Sequence, residues 1–145
     1  MQTARLLALS CLMTAALGCG GRTPGATASG TVTIDGKTAP AGIRVDFQPV
    51  GPGGSMSSGF TDDRGRYEMW FNANLKGVMP GECVVRLSLP EGGGADGSAG
   101  LPEALRQVRI PEGMGERSQL TRTVKRGPNT IDIDIPASDA GRSPR

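Results

Sequence analysis

Apolar and polar residues alternate with a period of two in seven short segments of the chain. Each segment ends at turn-forming glycine, proline, aspartate or asparagine residues, which is the pattern of a β-strand with one buried face. No apolar stripe of helical spacing lies between them, and residues 104–108 predict one helical turn at most. The pattern predicts an all-β fold, an antiparallel β-sandwich, with strands in segments 31–35, 43–48, 57–62, 67–72, 82–89, 120–124 and 131–135.

The N-terminus has a different pattern. Arg5 precedes an apolar segment at 6–17, and Gly18-Cys19 closes it before a glycine-rich run. A charged start, a short apolar stretch and a small residue at the end are the layout of a secretory signal. The apolar stretch is too short to cross a hydrocarbon layer of about 30 Å as a helix.

The end of this segment resembles the lipobox of bacterial lipoproteins. Ala16 stands three residues before Cys19, at a position where that pattern prefers leucine. The resemblance implies a lipid on the thiol of Cys19 and removal of residues 1–18. The alternatives are an ordinary cleaved signal and an uncleaved anchor or core helix. Cys11 lies inside the apolar stretch and would be removed with it.

The remaining chain divides by composition into three parts. Residues 19–28 have no periodicity and predict a flexible tether, and residues 29–136 hold the alternating segments. Within that domain, residues 90–100 are low in complexity and predict a mobile loop. Residues 137–145 lack an apolar anchor and predict a disordered tail.

The order of turns and strands resembles the carboxypeptidase regulatory-like domain over residues 29–136. The matching motifs are Gly30-x-Val32-x-Ile34-Asp35-Gly36-Lys37, Ala41-Gly42-x-x-Val45-x-Phe47-x-Pro49, Thr61-Asp62-x-x-Gly65-x-Tyr67, Gly77-x-x-Pro80-Gly81-Glu82, Ile110-Pro111, Leu120-Thr121 and Gly127-x-Asn129. The resemblance implies a transthyretin-like (prealbumin-like) sandwich of about seven strands. It also implies a small bacterial lipoprotein whose domain carries no peptidase chemistry.

Elementary physical chemistry gives several motif residues a structural role. Gly36 and Gly65 suit turns that need positive φ. Asp62 can accept hydrogen bonds from backbone N–H groups two residues on, which favours a turn over a calcium site because calcium needs six to eight oxygens. Tyr67 has the parity of the core, where its ring can be buried while its hydroxyl finds a partner near the edge.

The sequence departs from the family pattern at two strand positions and in one loop. Cys83 stands where the family often has an aromatic residue, and we expect a buried packing thiol. Arg122 has core parity, so we expect it near the rim with its charged group in solvent. Residues 112–116 replace the usual segment after the proline, so a different loop is expected there.

Composition excludes several kinds of chemistry. The chain has no histidine, which excludes Ser-His-Asp and Cys-His catalysis and histidine zinc sites. Its net charge of +2, or +1 without Arg5, gives no electrostatic basis for binding nucleic acid. Asp132 and Asp134 share one strand face and are interpreted as a solvated face, although paired carboxylates also serve glycosidases. No enzyme activity, metal or cofactor is predicted.

Trp70 is the one candidate ligand contact. By alternation its side chain points to the other face of the strand from Tyr67, Met69 and Phe71, which have core parity. Exposed aromatic side chains stack on sugars or anchor protein partners, although a neighbouring loop can also cover them. The sequence therefore predicts a lipid-anchored structural or protein-interaction module of the cell envelope. The resemblance to bacterial lipoproteins implies the outer rather than the inner membrane, because Gly20 follows Cys19 in place of the aspartate that retains lipoproteins at the inner membrane in some bacteria. The alternative is a module that binds carbohydrate or another ligand through Trp70.

Overall fold

The computed structural model describes residues 23–91 and 100–136. The predicted signal at 1–18, its lipidation site Cys19, most of the predicted loop at 90–100 and the predicted tail at 137–145 lie outside the described residues. All statements about the fold therefore concern the domain itself.

Most of the regular secondary structure in the described residues is β-strand. Its one α-helix, α1, spans Glu103–Arg106 and is a single turn, as the sequence predicts for this region. A 3-10 turn follows at Glu112–Met114. The strands are β1 (Ala26–Ile34), β2 (Lys37–Thr38), β3 (Arg44–Pro49), β4 (Ser57–Phe60), β5 (Arg66–Glu68), β6 (Trp70–Asn72), β7 (Leu75–Lys76), β8 (Gly81–Ser88), β9 (Thr121–Val124), β10 (Gly127–Thr130) and β11 (Ile133–Ile135).

These strands form two sheets. In the five-stranded sheet, β1 is central and pairs with β10, β11, β2 and β5. The six-stranded sheet has the order β7-β6-β4-β3-β8-β9. Eleven strand segments are present in the described residues, more than the seven or so predicted, because several are only two or three residues long. The all-β prediction is confirmed.

The prediction of a wholly antiparallel sandwich is wrong for the central strand. The N-terminal half of β1 pairs in parallel with β10, and its C-terminal half pairs in parallel with β11. Strand β1 also begins at Ala26, so its first residues fall within the range predicted as tether. Ala26 and Ala28 are buried there. Small apolar side chains can therefore extend a buried strand where the sequence has no bulky residues to reveal it.

Gly30 allows the last part of the chain to pass from β10 to β11 beside β1. A Cβ built on Gly30 would lie 2.0 Å from the backbone oxygen of Ile131, far inside contact distance. Gly30 is not in a left-handed conformation, so the requirement for glycine is one of space alone. The glycine therefore permits a close approach of two backbones.

The chain changes sheets at Met69. The sequence predicts one strand over residues 67–72, whereas the structure has β5 paired with β1 and β6 paired with β4. Between them, the N–H of Met69 donates to the carbonyl of Ala28, and its own carbonyl accepts from Gly77. The two sheets are thus joined by continuous, hydrogen-bonded backbone.

The core lies between the sheets. Phe47 of the six-stranded sheet meets Tyr67 of the five-stranded sheet with ring centroids 6.3 Å apart. The inward parity predicted for most strands is confirmed, but Phe71 is half-buried and lies outside the core. Fully buried bulky side chains come from both sheets and from α1: Phe47, Ile43, Met69, Leu87, Leu105, Ile133, Ile135, Val32, Val45 and Val85.

Candidate functional site

One side of the six-stranded sheet faces away from the core. We call it the outer face, and we define it by a row of side chains that crosses the strands in register. Asp46 lies opposite Arg86 of β8 on one side and opposite Ser58 of β4 on the other. Ser58 lies opposite Trp70 of β6, which in turn lies opposite Lys76 of β7. Alternation along each strand places the side chains of this row on the face of the sheet that points away from the core.

The β6 end of this row is aromatic and exposed. Trp70 is 39% exposed and Phe60 is 58% exposed. The Nζ of Lys76 lies 5.1 Å from the centroid of the Trp70 ring, within the range of a cation–π contact. With Met56 and Phe71, these two aromatic side chains line a shallow cleft of about 380 Å³. Large apolar side chains are therefore grouped on a surface that nothing in the described residues covers.

The middle of the row is polar and already hydrogen-bonded. One carboxylate oxygen of Asp46 accepts from the Nε of Arg44 at 2.8 Å and from the hydroxyl of Ser58 at 2.5 Å. The same hydroxyl accepts from a terminal nitrogen of Arg44 at 3.2 Å. Each side chain in this triad is held by the other two, so its geometry is fixed before any ligand arrives.

Arg86 differs from its neighbours. Its Nε is buried and has no hydrogen-bond partner among the described residues. A buried donor without an acceptor costs about 1–3 kcal/mol of stability. Folded proteins keep few such groups, so each one calls for an explanation such as a functional role. In the part of the outer face that the structure describes, the Nε of Arg86 is therefore a buried donor that lacks an acceptor.

A second and larger cleft, of about 740 Å³, opens over this polar region. Arg44, Asp46 and Arg86 line it together with Met56 and Phe60, which also line the aromatic cleft. The two clefts thus adjoin at Met56 and Phe60, and we call them together the cross-strand groove. At the β8 end of the groove, Glu91 and Glu116 are exposed on the rim.

Trp70 lies where its parity predicts, but the sequence did not identify its surroundings. Phe60 and Met56 fall in or beside a weak, serine-rich segment whose alternation is poor. Arg86 alternates with the buried residues Val85 and Leu87, which indicates an outward position but not a missing partner. Contact of Trp70 with a ligand stays a prediction.

Other polar residues identified from the sequence hold backbone instead. Asp62 accepts from the N–H groups of Arg64 and Arg66 at 2.9 and 2.8 Å, and these bonds hold the pKa of its carboxyl below the usual value. The predicted turn is confirmed, and Gly36 and Gly65 have the predicted positive φ.

Tyr67 is 3% exposed, and its hydroxyl donates to the carbonyl of Ile131. Burial, together with the nearby carboxylate of Asp132, raises the pKa of its phenol, and the guanidinium of Arg122 opposes that rise. The predicted combination of a buried ring and a bonded hydroxyl is confirmed. Arg122 is half-buried, and its guanidinium donates to the carbonyl of Thr121 at 2.8 Å.

Asp132 and Asp134 are exposed, as predicted, but they are not merely solvated. Asp132 accepts from the N–H of Thr31 at 2.8 Å. Asp134 accepts from the hydroxyl of Thr33 and from the N–H of Gly36, and the pKa of its carboxyl is lowered by these two bonds in that order. Both carboxylates therefore bind the last strand to the first.

Cys83 is fully buried, and burial raises the pKa of its thiol. A raised pKa keeps the group in the unreactive thiol form at neutral pH. The prediction of a packing cysteine is confirmed.

Within residues 23–91 and 100–136, no three acidic or cysteine side chains are close enough to hold a metal ion. The helices of these same ranges are too short to cross a membrane. Comparison of the chain with protein-family models, with curated proteins and with solved structures gave no match.

Proposed function

We propose that this protein is a lipid-anchored, non-enzymatic module of the cell envelope that binds a protein partner through the outer face of its six-stranded sheet. The observation that carries the proposal is the grouping of exposed Met56, Phe60 and Trp70 beside the prearranged triad of Arg44, Asp46 and Ser58. Aromatic anchors next to fixed polar groups are the usual composition of the energetic centre of an interface.

The non-enzymatic part rests on which groups are free to react. The chain lacks histidine. The carboxylates of Asp62, Asp132 and Asp134 accept bonds from backbone, and the thiol of Cys83 is buried. Nucleophile, base and acid would need to lie together in a cleft. The polar middle of the cross-strand groove offers one bonded carboxylate and two guanidinium groups, and its two other carboxylates, of Glu91 and Glu116, are exposed on the rim.

We further propose that the fold belongs to the transthyretin-like class and that the domain is carboxypeptidase regulatory-like. Support comes from four of the motif residues, because they have folding roles in this structure. Gly30 permits the approach of Ile131, Asp62 and Gly65 form a turn, and Tyr67 joins the core to the last strand. A crystal structure of the domain checks the class.

The anchor rests on the resemblance of Gly18-Cys19 to a lipobox, and Gly20 favours the outer membrane. Metabolic labelling with a palmitate analogue is expected to mark the wild-type protein and not Cys19→Ala, with Cys83→Ala as the control that keeps its label. Label persisting in Cys19→Ala contradicts the anchor. Separation of inner and outer membranes then tests the location.

The interaction is tested by photo-crosslinking in intact cells. A photoreactive amino acid at position 60 is expected to capture a discrete partner, and the same amino acid at position 63, in an exposed turn away from the outer face, is expected to capture none. The captured band should disappear in Trp70→Ala. Equal capture at both positions, or no effect of Trp70→Ala, contradicts binding through the outer face.

A second candidate function is carbohydrate binding, which the exposure of Trp70 beside polar Ser58 and Asn72 supports. A sugar ring can stack on the indole while its hydroxyls bond to the neighbouring side chains. Binding of a glycan panel, lost in Trp70→Ala, supports this function. Absence of binding to every glycan removes it.

A further inference from the structure

The cross-strand groove has three chemically distinct parts in a fixed order. Trp70 and Phe60 form the apolar part at β6 and β4, Arg86 and Arg44 form the cationic part at β8 and β3, and the acidic rim follows beyond Arg86. A partner of matching chemistry would carry an apolar, an acidic and a basic group in the same order.

The cationic part has a donor to offer. The Nε of Arg44 is already bonded to Asp46, whereas the Nε of Arg86 is buried without a partner among the described residues. The guanidinium of Arg86 lines the cleft, and a carboxylate from outside would accept a charge-assisted hydrogen bond from it once the side chain turns its buried Nε toward the groove. Arg86, rather than Arg44, is therefore expected to decide whether an acidic group is bound.

The register of the sheet sets the spacing that a partner needs. Trp70 and Arg86 lie in one cross-strand row and are separated by three strand intervals, β6 to β4, β4 to β3 and β3 to β8. Neighbouring strands are about 4.8 Å apart, so the two positions are about 14 Å apart. An extended peptide rises about 3.3 Å per residue and points alternate side chains to the same side, so residues four positions apart span this distance and face the same way.

The acidic rim continues the same line. Ser118 and Leu120 bond to Val85 along the edge of β8 that faces away from β3, and Glu116 precedes them in the chain. Glu116 thus lies beyond Arg86 as seen from Trp70. A side chain two residues further along an extended peptide would reach this rim.

We propose that the cross-strand groove binds an extended peptide segment with an apolar residue, an acidic residue four positions away and a basic residue two positions beyond it. This inference rests on the proposed interaction function and adds the chemistry of the partner. A peptide is favoured over an acidic glycan because the acidic rim repels a polyanion but pairs with the single basic group of a peptide. The peptide crosses the strands, so side chains rather than a sheet edge give the recognition.

The test uses the full chain in mild detergent and dye-labelled peptides of seven residues. Leucine is first, aspartate fifth and lysine seventh on a serine–glycine background, in forward and reversed order. In the control peptides, asparagine replaces the aspartate, or the aspartate is moved to the fourth position so that it faces away. Trp70 is the sole tryptophan of the chain, so its fluorescence reports arrival of the peptide directly.

The wild type is expected to bind one orientation of the aspartate peptide at least about tenfold more tightly than either control, as a charged hydrogen bond implies. Arg86→Met is expected to abolish this preference while keeping residual binding through the leucine, and Arg86→Lys to keep part of it. Arg64→Met, at an exposed turn position, is the matched control and should behave as wild type. Thermal unfolding of each variant confirms that the domain is folded.

Equal affinity of the wild type for the aspartate and asparagine peptides, or an unchanged preference in folded Arg86→Met, overturns the inference. Binding of uronic-acid oligosaccharides in place of every peptide also overturns it. Failure of the inference is separable from failure of the proposed function. If position 60 captures a partner but the peptides show no preference for aspartate, the interaction function stands and only the peptide inference fails. If position 60 captures no partner, the interaction function itself fails.

Discussion

In the five-stranded sheet, polar side chains such as Tyr67 and Asp134 bond to backbone groups of another segment and so hold the strands in place. On the outer face of the six-stranded sheet, Arg44, Asp46 and Ser58 bond to one another, and their network holds no backbone. The first arrangement serves folding, and the second leaves prearranged groups facing a groove. The difference shows which residues a fold requires and which are free for binding.

This comparison predicts that substitutions in the five-stranded sheet reduce stability, whereas those on the outer face reduce binding with little loss of stability.

The largest effect is expected at Gly30. In Gly30→Ala the new Cβ meets the carbonyl of Ile131, and the backbone must move, so we expect a loss of roughly 3 kcal/mol or more in the free energy of unfolding. Urea unfolding measures it. Gly113→Ala has open space around its Cβ and is the matched control, and equal effects of the two substitutions would contradict the steric explanation.

Tyr67→Phe is expected to have the next largest effect. The substitution keeps the ring in the core but leaves the carbonyl of Ile131 without its donor, which costs about 1–2 kcal/mol. Urea unfolding at neutral pH measures the loss. Stability within error of wild type would show that water replaces the hydroxyl.

The same tyrosine predicts a loss of stability in alkali. Its pKa is raised in the folded state above the ordinary value of about 10, so the folded protein holds the phenolic proton more tightly than the unfolded chain does. The contribution of the protonated phenol to the stability of the fold is fully present below about pH 10 and is lost as the pH rises above it. Melting temperatures across this range should fall more steeply for the wild type than for Tyr67→Phe, and parallel curves would contradict the assignment. The chain has one tyrosine, so its absorbance follows the ionisation directly.

A smaller effect of opposite pH dependence is expected at Asp62. The carboxyl has a lowered pKa because it accepts two backbone N–H bonds in the turn, so its contribution to stability is present above about pH 4 and is lost as the pH falls below it. Asp62→Asn should lower the melting temperature at neutral pH and converge with wild type in acid. Asp63→Asn, for the adjacent exposed residue, should match the wild type throughout, and a constant difference for Asp62→Asn would exclude the ionised carboxylate as the cause.

The smallest change in stability is expected on the outer face. Trp70→Ala removes a partly exposed ring and its contact with Lys76, which is worth about 0.5–1 kcal/mol at an exposed site. Circular dichroism melts should therefore change little, while binding of the partner or peptide is lost. A loss of stability comparable with that of Tyr67→Phe would show that Trp70 belongs to the fold.

The predictable parts of the fold are those that residues close together in the sequence determine. Alternation identified strands whose inward residues are large, and Asp62, Gly65 and Tyr67 indicated a turn followed by a buried ring. The parallel pairing of β1 was not predictable, because alternation does not reveal which strands meet. The change of sheet at Met69 was missed because alternation continues through it unbroken.

The candidate site was only partly predictable for a related reason. Trp70 is noticeable as a single aromatic residue of outward parity. Arg86 has the same parity, yet the missing acceptor of its Nε becomes visible only when β3, β4 and β8 are assembled and Asp46 bonds to Arg44 and Ser58. Unpaired donors are a property of the assembled sheet rather than of any one segment.

The placement of β1 has a consequence for how the chain becomes folded. Thr31 and Thr33 bond to Asp132 and Asp134, each 101 positions further along, and both parallel partners of β1 come from the last strands of the domain. A chain that emerges N-terminus first must leave β1 without these partners until residue 135 is out, and contacts of such long separation form slowly. The last step of folding is therefore the pairing of the C-terminal strands β10 and β11 with β1. A chain that stops before residue 127 would leave one edge of β1 unpaired and open to pairing with another molecule.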